Sequence, residues 1–280
     1  MRAVPAGLIL LGACRGAPSQ EPVQPTEPTP TAAATPPHQR LAGAAELAQI
    51  IGQRGPRILG VGELHQVVDG PQGPAAIDWF TEQLLPVLAP SATDLVIETW
   101  VFEGGCGEQE QVVVEALPEA TNRPPETEDA IVRLARVARE LGVTPHALEL
   151  SCDDYEAVVG PDGGIVYEQL LAVMTRELGA LARQGLATPD ARVILYGGAV
   201  HNDLHPRPAL AAYSYATALA ALEGGQAYME LDLYPPGMAA QQAGFADEAW
   251  FPLIDATGPD HLVLWERDPN SLVVLLPAGE

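Results

Sequence analysis

Ile58-Leu59-Gly60-Val61-Gly62-Glu63-Leu64-His65 is the stretch whose reading decides the fold. A short apolar run that stops at Gly-Glu-x-His reads as a buried strand, leaving the sheet through a turn that glycine permits. The pattern returns once. Val193-Ile194-Leu195-Tyr196 is followed by Gly197 and then Gly198-Ala199-Val200-His201, a second Gly-x-x-His behind a second apolar run. Between them Asp94-Leu95-Val96-Ile97 ends in Glu98. The chain thus offers imidazole, carboxylate and imidazole at the tips of three expected parallel strands, the edge at which open α/β sheets bind ligands.

Outward from these strands the periodicity alternates between two and 3.6. Helices are expected over 40–53, 77–88, 127–141, 164–184 and 208–223, with further strands at 145–150 and 227–233. Two apolar runs, 261–265 and 272–276, are joined by Arg267-Asp268-Pro269-Asn270 and read as an antiparallel hairpin at a sheet edge. Strands alternating with helices imply an α/β fold: a mostly parallel central sheet flanked by helices on both faces, closed by the C-terminal hairpin. One domain is expected over residues 39–280. Residues 102–126 are acidic and rich in Gly and Pro, and read as a long loop bordering the site.

The amino end is of another kind. Met1-Arg2 and the short apolar stretch to Leu11 read as a processing signal, too brief to span a bilayer. Leu11-Gly12-Ala13-Cys14 resembles a bacterial lipobox, which implies a lipid on Cys14 and residues 1–14 as signal. Arg15 rather than an aspartate follows, which favours the outer membrane. Residues 15–38 are rich in Pro, Thr, Gln and Ala and form an expected tether, about 3.1 Å per residue and roughly 70 Å in reach.

The formal charge of −23 comes from 37 acids against 14 bases, all of them arginine. Such a surface repels phosphate, which excludes nucleic acid as a partner and leaves the lipid as the route to a membrane. With Cys14 lipidated, Cys106 and Cys152 remain as a pair in an oxidising compartment, each shortly after an expected strand, where a disulfide would pin two loops. The sequence contains no Gly-x-Ser-x-Gly elbow, phosphate loop or dinucleotide fingerprint.

Side chains two apart on an extended chain face the same way, so Glu63 and His65 can share a pocket, as can His201 and Asp203. His65, Glu98 and His201 are the two-histidine, one-carboxylate donor set that holds a divalent transition metal with positions left open. Asn202 and Asp203 are the polar groups expected to support His201. Trp100 is a candidate for a substrate groove. Asp153, Asp154 and Glu156 read as a solvated turn, and Glu230 and Asp232 alternate along the 227–233 strand toward the same edge.

Taken together, Gly62-Glu63-Leu64-His65, the strand ending in Glu98 and Gly198-Ala199-Val200-His201 resemble the pattern of the Tiki superfamily, which groups ChaN haem-binding lipoproteins, erythromycin esterases, TraB proteins and Tiki metalloproteases. The likeness follows the order of elements from Arg57 to Leu233. On the protease pattern it implies a metal on His65, Glu98 and His201, with Glu63 handling protons for hydrolysis of an amide or ester in a small molecule or peptide. On the esterase pattern it implies a histidine base oriented by a carboxylate, without an essential metal. On the ChaN pattern it implies haem in the pocket, held by His65 or His201 or a tyrosine such as Tyr196 or Tyr155. The arginine of the protease pattern has only Arg207 as a nearby counterpart. A surface module that keeps the fold without chemistry is the remaining alternative.

Overall fold

A computed structural model describes residues 35–68, 70, 74–161, 163–222 and 227–278. The expected signal, the lipobox at Cys14 and most of the tether lie outside these residues. In chain order the elements are strand β1 (Gln39–Leu41), helix α1 (Ala44–Arg54), β2 (Ile58–Glu63), α2 (Ala76–Trp79) running through a π-turn (Phe80–Leu84) into α3 (Leu85–Leu88), and β3 (Asp94–Trp100). Then come α4 (Glu108–Thr121), α5 (Glu126–Glu140), β4 (Thr144–Leu148), α6 (Cys152–Val158), α7 (Tyr167–Gly185) and β5 (Val193–Gly198). The chain closes with α8 (Ala199–Asn202), α9 (Ala216–Ala220), β6 (Tyr228–Tyr234), short helical turns, β7 (Leu262–Asp268) and β8 (Ser271–Leu275).

The eight strands form one sheet in the order β1-β7-β8-β6-β2-β5-β3-β4. Pairing is parallel from β8 to β4, while β7 runs antiparallel to both β8 and β1. This is the expected α/β architecture with its C-terminal antiparallel hairpin. β2, β5 and β3, the three strands that carry the two Gly-x-x-His arms and Glu98, are adjacent.

Alternation along the strands divides the interior in two. Leu59, Val61, Leu95, Ile97, Ile194 and Tyr196 pack with α1, the 76–88 helical run and α5. Ile58, Val96, Val193, Leu195 and Tyr228 pack on the opposite face with α6, α7 and α9. Both faces being covered, the central strands are apolar throughout rather than half-polar.

Four local expectations are corrected. The chain enters through the edge strand β1, where Leu41 is buried and pairs with Leu262 of β7, so the first helix starts at Ala44 rather than residue 40. The expected loop over 102–126 contains α4: Glu108 and Glu110 stand in its first turn, where the helix dipole favours acids, and Val113 is buried. The expected turn at Asp153 is α6, opened by a capping box in which Ser151 and Asp154 satisfy each other's backbone N–H groups. The expected 208–223 helix is reduced to a 3₁₀ turn at Ala211–Tyr213 and the short α9. Ser214 breaks it: its hydroxyl donates to the Asp203 carbonyl at 2.6 Å and accepts from Ala216 N at 3.1 Å, an alternative to the helix ladder.

Cys106, ahead of α4, and Cys152, at the start of α6, are joined in a disulfide with a Cα–Cα separation of 5.0 Å. It ties the segment that leads into α4 to the start of α6. Among the described residues no helix is long and apolar enough to cross a membrane.

Candidate active site

The carboxyl ends of β2, β5 and β3 bring Glu63, His65 and Glu98 together. His65 Nδ1 lies 3.0 Å from Glu63 Oε1, and its Nε2 lies 3.3 Å from Glu98 Oε1. By strand alternation Glu63 belongs to the face of Val61 and Tyr196, and Glu98 to the face of Val96. The imidazole therefore bridges two carboxylates from opposite faces over the rim of the sheet. Its side chain is 26% exposed, whereas that of Glu98 is 4% exposed, so the ring is the part that solvent reaches.

Each carboxylate is held from behind. Tyr196 Oη donates to Glu63 Oε2 at 2.5 Å, and the Gly198 N–H donates to Glu98 Oε2 at 2.5 Å. The paired glycines after β5 are a packing requirement: a Cβ at Gly197 would collide with the Glu98 carboxylate, and one at Gly198 would press on His65 Nε2.

Arg123 completes the cluster. Its Nη2 donates to Glu98 Oε1 at 3.0 Å and stands 2.6 Å from His65 Nε2. Only a neutral ring with its lone pair at Nε2 accepts that contact, which places the His65 proton on Nδ1 toward Glu63. Burial works against the Glu98 charge, yet His201, His65 and Arg123 hold its carboxyl well below the usual range. For His65, burial and Arg123 push the pKa down, but Glu98 and the bond to Glu63 pull harder and leave it raised. The ring is thus basic, and takes a proton at Nε2 when Arg123 gives way and Glu98 accepts the new N–H.

His201 is buried in α8. Its Nδ1 lies 2.8 Å from the Tyr213 carbonyl and 3.0 Å from Thr175 Oγ1, which itself lies 2.9 Å from that carbonyl. A carbonyl only accepts, so Nδ1 carries hydrogen, and no hydrogen bond engages Nε2 among the described residues. Sequence reasoning did not reach Thr175, which projects from the middle of α7.

Not every expected residue joins the cluster. Asn202 is buried over Gly60, whose carbonyl its amide contacts at 3.2 Å. Asp203 turns away, its Oδ1 accepting from His205 N at 2.7 Å and facing Arg267 at 3.7 Å. Arg207 is 55% exposed and pairs with Glu248. Tyr155 is buried within the core, and Tyr196 is occupied by Glu63.

His65, Glu98 and His201 were expected as a metal-ligand set, and in this arrangement the three are not drawn together around one point. Among the described residues no three His, Cys, Asp or Glu side chains are grouped to hold an ion, and the position between His65 Nε2 and Glu98 Oε1 is taken by the Arg123 guanidinium. A fixed cation there competes with a divalent metal for the same lone pairs.

Glu230 and Asp232, on β6, form a second buried acidic group. Burial and Asp232 push the Glu230 carboxyl up to about 9, and burial with Asp203 pushes Asp232 up to about 7 against the bond from Tyr234 Oη, 2.7 Å from Asp232 Oδ2. A Cβ at Gly62 would collide with both Asn202 Oδ1 and Asp232 Oδ1, so these two oxygens share the space above that glycine. Neither has a hydrogen-bond partner among the described residues. A proton on Asp232 supplies the missing donor.

Comparison with protein-family models and with curated proteins gives no match. Among solved structures, the type III effector HopBA1 aligns at 13% identity and a TM-score of 0.44, over 88% of this chain and 99% of that one.

Proposed function

We propose that the protein is a hydrolase of ester or amide bonds in a small molecule or peptide, working without a metal, with His65 as general base. The observation that carries this reading is a partly exposed imidazole oriented at Nδ1 by Glu63 and met at Nε2 by an arginine. His65 Nε2 takes a proton from attacking water, Glu63 stabilises the imidazolium through Nδ1, and Tyr196 fixes Glu63. Arg123, released from Nε2, is placed to stabilise negative charge developing on the carbonyl oxygen. His201, its tautomer set by Tyr213, offers Nε2 as a second proton acceptor.

The test is hydrolysis of p-nitrophenyl acetate by the full chain. Rates unchanged by EDTA, and lowered about 10³-fold in His65→Ala with the thermal midpoint kept, support the reading. Loss of activity in EDTA restored by zinc or manganese would return it to a metalloenzyme, and a Soret band on titration with haemin would favour haem binding. The chain is further assigned to the cell envelope through a lipid on Cys14, with the outer membrane favoured. Metabolic labelling with an alkyne palmitate, abolished by Cys14→Ser, checks that anchor.

A further inference from the structure

A cleft of about 580 Å³ opens beside the cluster, and Glu98 and Arg123 lie in its wall. It runs between the ends of β3 and β4 and the helices α4 and α5, which pass over them. Ile97, Trp100, Phe102, Leu117, Ile131 and Val132 line it. Its size falls in the range of small-molecule sites, where an apolar lining supplies affinity and a few polar groups set orientation.

Two details point to an occupant. Val132 is 62% exposed and Val114 37%, so large aliphatic side chains stand open to water along the cleft rather than in the core. Trp100 Nε1 is buried but has no hydrogen-bond partner among the described residues. Buried donors are rarely left unmade, and Trp100 is one of the residues of the cleft wall. The net charge of −23 disfavours an anion, and Arg123 is already paired with Glu98.

We propose that this cleft binds a neutral, apolar acyl or aryl group bearing one oxygen acceptor for the Trp100 N–H, and that this group is the non-reacting part of the substrate. The inference rests on the hydrolase reading for the second half of that statement only. Arg123, shared by cleft and cluster, would hold the carbonyl at the boundary.

Binding and turnover are measured separately, on the full chain carrying Cys14→Ser so that no lipid competes. The fluorescent neutral probe N-phenyl-1-naphthylamine should bind saturably at about one per chain and be displaced by 2-octanone. Val132→Asp should weaken the probe at least 10-fold with the circular dichroism spectrum kept, and Val114→Asp should act in the same direction. Trp100→Phe, which keeps a ring and removes the N–H, should weaken 2-octanone several-fold more than the probe. In turnover, wild type should prefer p-nitrophenyl octanoate to the acetate by at least 10-fold in kcat/KM, and Val132→Asp should collapse that ratio toward one. Saturable binding that responds to these substitutions, with no ester cleaved, upholds the cleft and overturns the hydrolase. Acetate turnover with no probe binding and no chain-length preference overturns the cleft and leaves the hydrolase standing.

Discussion

Glu98 and Asp232 are two carboxylates on one face of one sheet, in a row that crosses four strands. Asp232 of β6 pairs with Gly62 of β2, Gly62 pairs with Gly197 of β5, and Glu98 of β3 lies against Gly197. Both are almost fully buried. Yet the first is held ionised and the second is raised to about 7. Burial penalises both charges alike, so the neighbours decide. Glu98 has Arg123, His65, His201 and a backbone N–H, whereas Asp232 has the acids Glu230 and Asp203 beside it, which Tyr234, Asn202 and Arg267 offset only in part. One end of the row is built to carry charge, and the other to hold a proton.

Glu98→Gln should break the charged end and give the largest change in stability. It leaves Arg123 without its carboxylate at a buried site, which costs about 3 kcal/mol near pH 7. Because the folded pKa of Glu98 is depressed, its contribution is present above the unfolded value near 4.3 and is lost as pH falls below it. The gap in thermal midpoint between wild type and variant should therefore be constant above about pH 5 and narrow steadily as the pH is lowered below about 4. A gap that does not narrow at all between about pH 5 and about pH 2 would mean that the carboxamide disturbs packing and that charge is not the cause.

Asp232→Asn should act with the opposite sign. A raised folded pKa means that the native state keeps a proton the unfolded chain releases, so stability falls as pH rises from about 4 to about 7 and then stays level. The amide is neutral at every pH and donates to Asn202 Oδ1 in place of the acid proton. The variant should match wild type near pH 4 and exceed it by about 2 kcal/mol at pH 8, a midpoint shift of several degrees. Chemical denaturation at the two pH values checks it. A variant that is less stable at pH 8 would place the charge, not the proton, on Asp232.

Much of the charged end was legible in sequence because strand-end residues are fixed by local rules. The apolar runs place β2, β3 and β5, period two sends Glu63 and Glu98 where they lie, and glycines mark where side chains cross close to backbone. What the sequence hid came from tertiary placement. Arg123 lies just beyond a helix whose acidic first turn and flanking glycines read as loop, and its approach to Glu98 depends on how α4 and α5 pack over β3. Thr175 reaches His201 from mid-helix, on a face that otherwise looks like ordinary core. The Glu230 and Asp232 pair was visible as alternation, but its protonation depends on burial and neighbouring acids outweighing Tyr234, Asn202 and Arg267, a balance no spacing reveals.

Arg207 is the sharpest control on that lesson, since it lies six residues from His201 while Arg123 lies 78 away. Proximity in sequence favoured the wrong arginine. Arg207 spends its guanidinium on the Gly244 carbonyl and Glu248, both at 2.7 Å, on a surface where water competes for the same bonds. Exposed pairs of this kind contribute about 0.2–1 kcal/mol, and Glu248 keeps a second partner in Arg267 at 3.2 Å. Arg207→Ala should shift stability by about 0.5 kcal/mol or less and leave ester turnover within about twofold of wild type. Arg123→Ala, assayed beside it, should lower turnover by about 10²-fold or more. Equal losses in the two variants would place the second arginine in the chemistry and undo the assignment of the oxyanion role to Arg123.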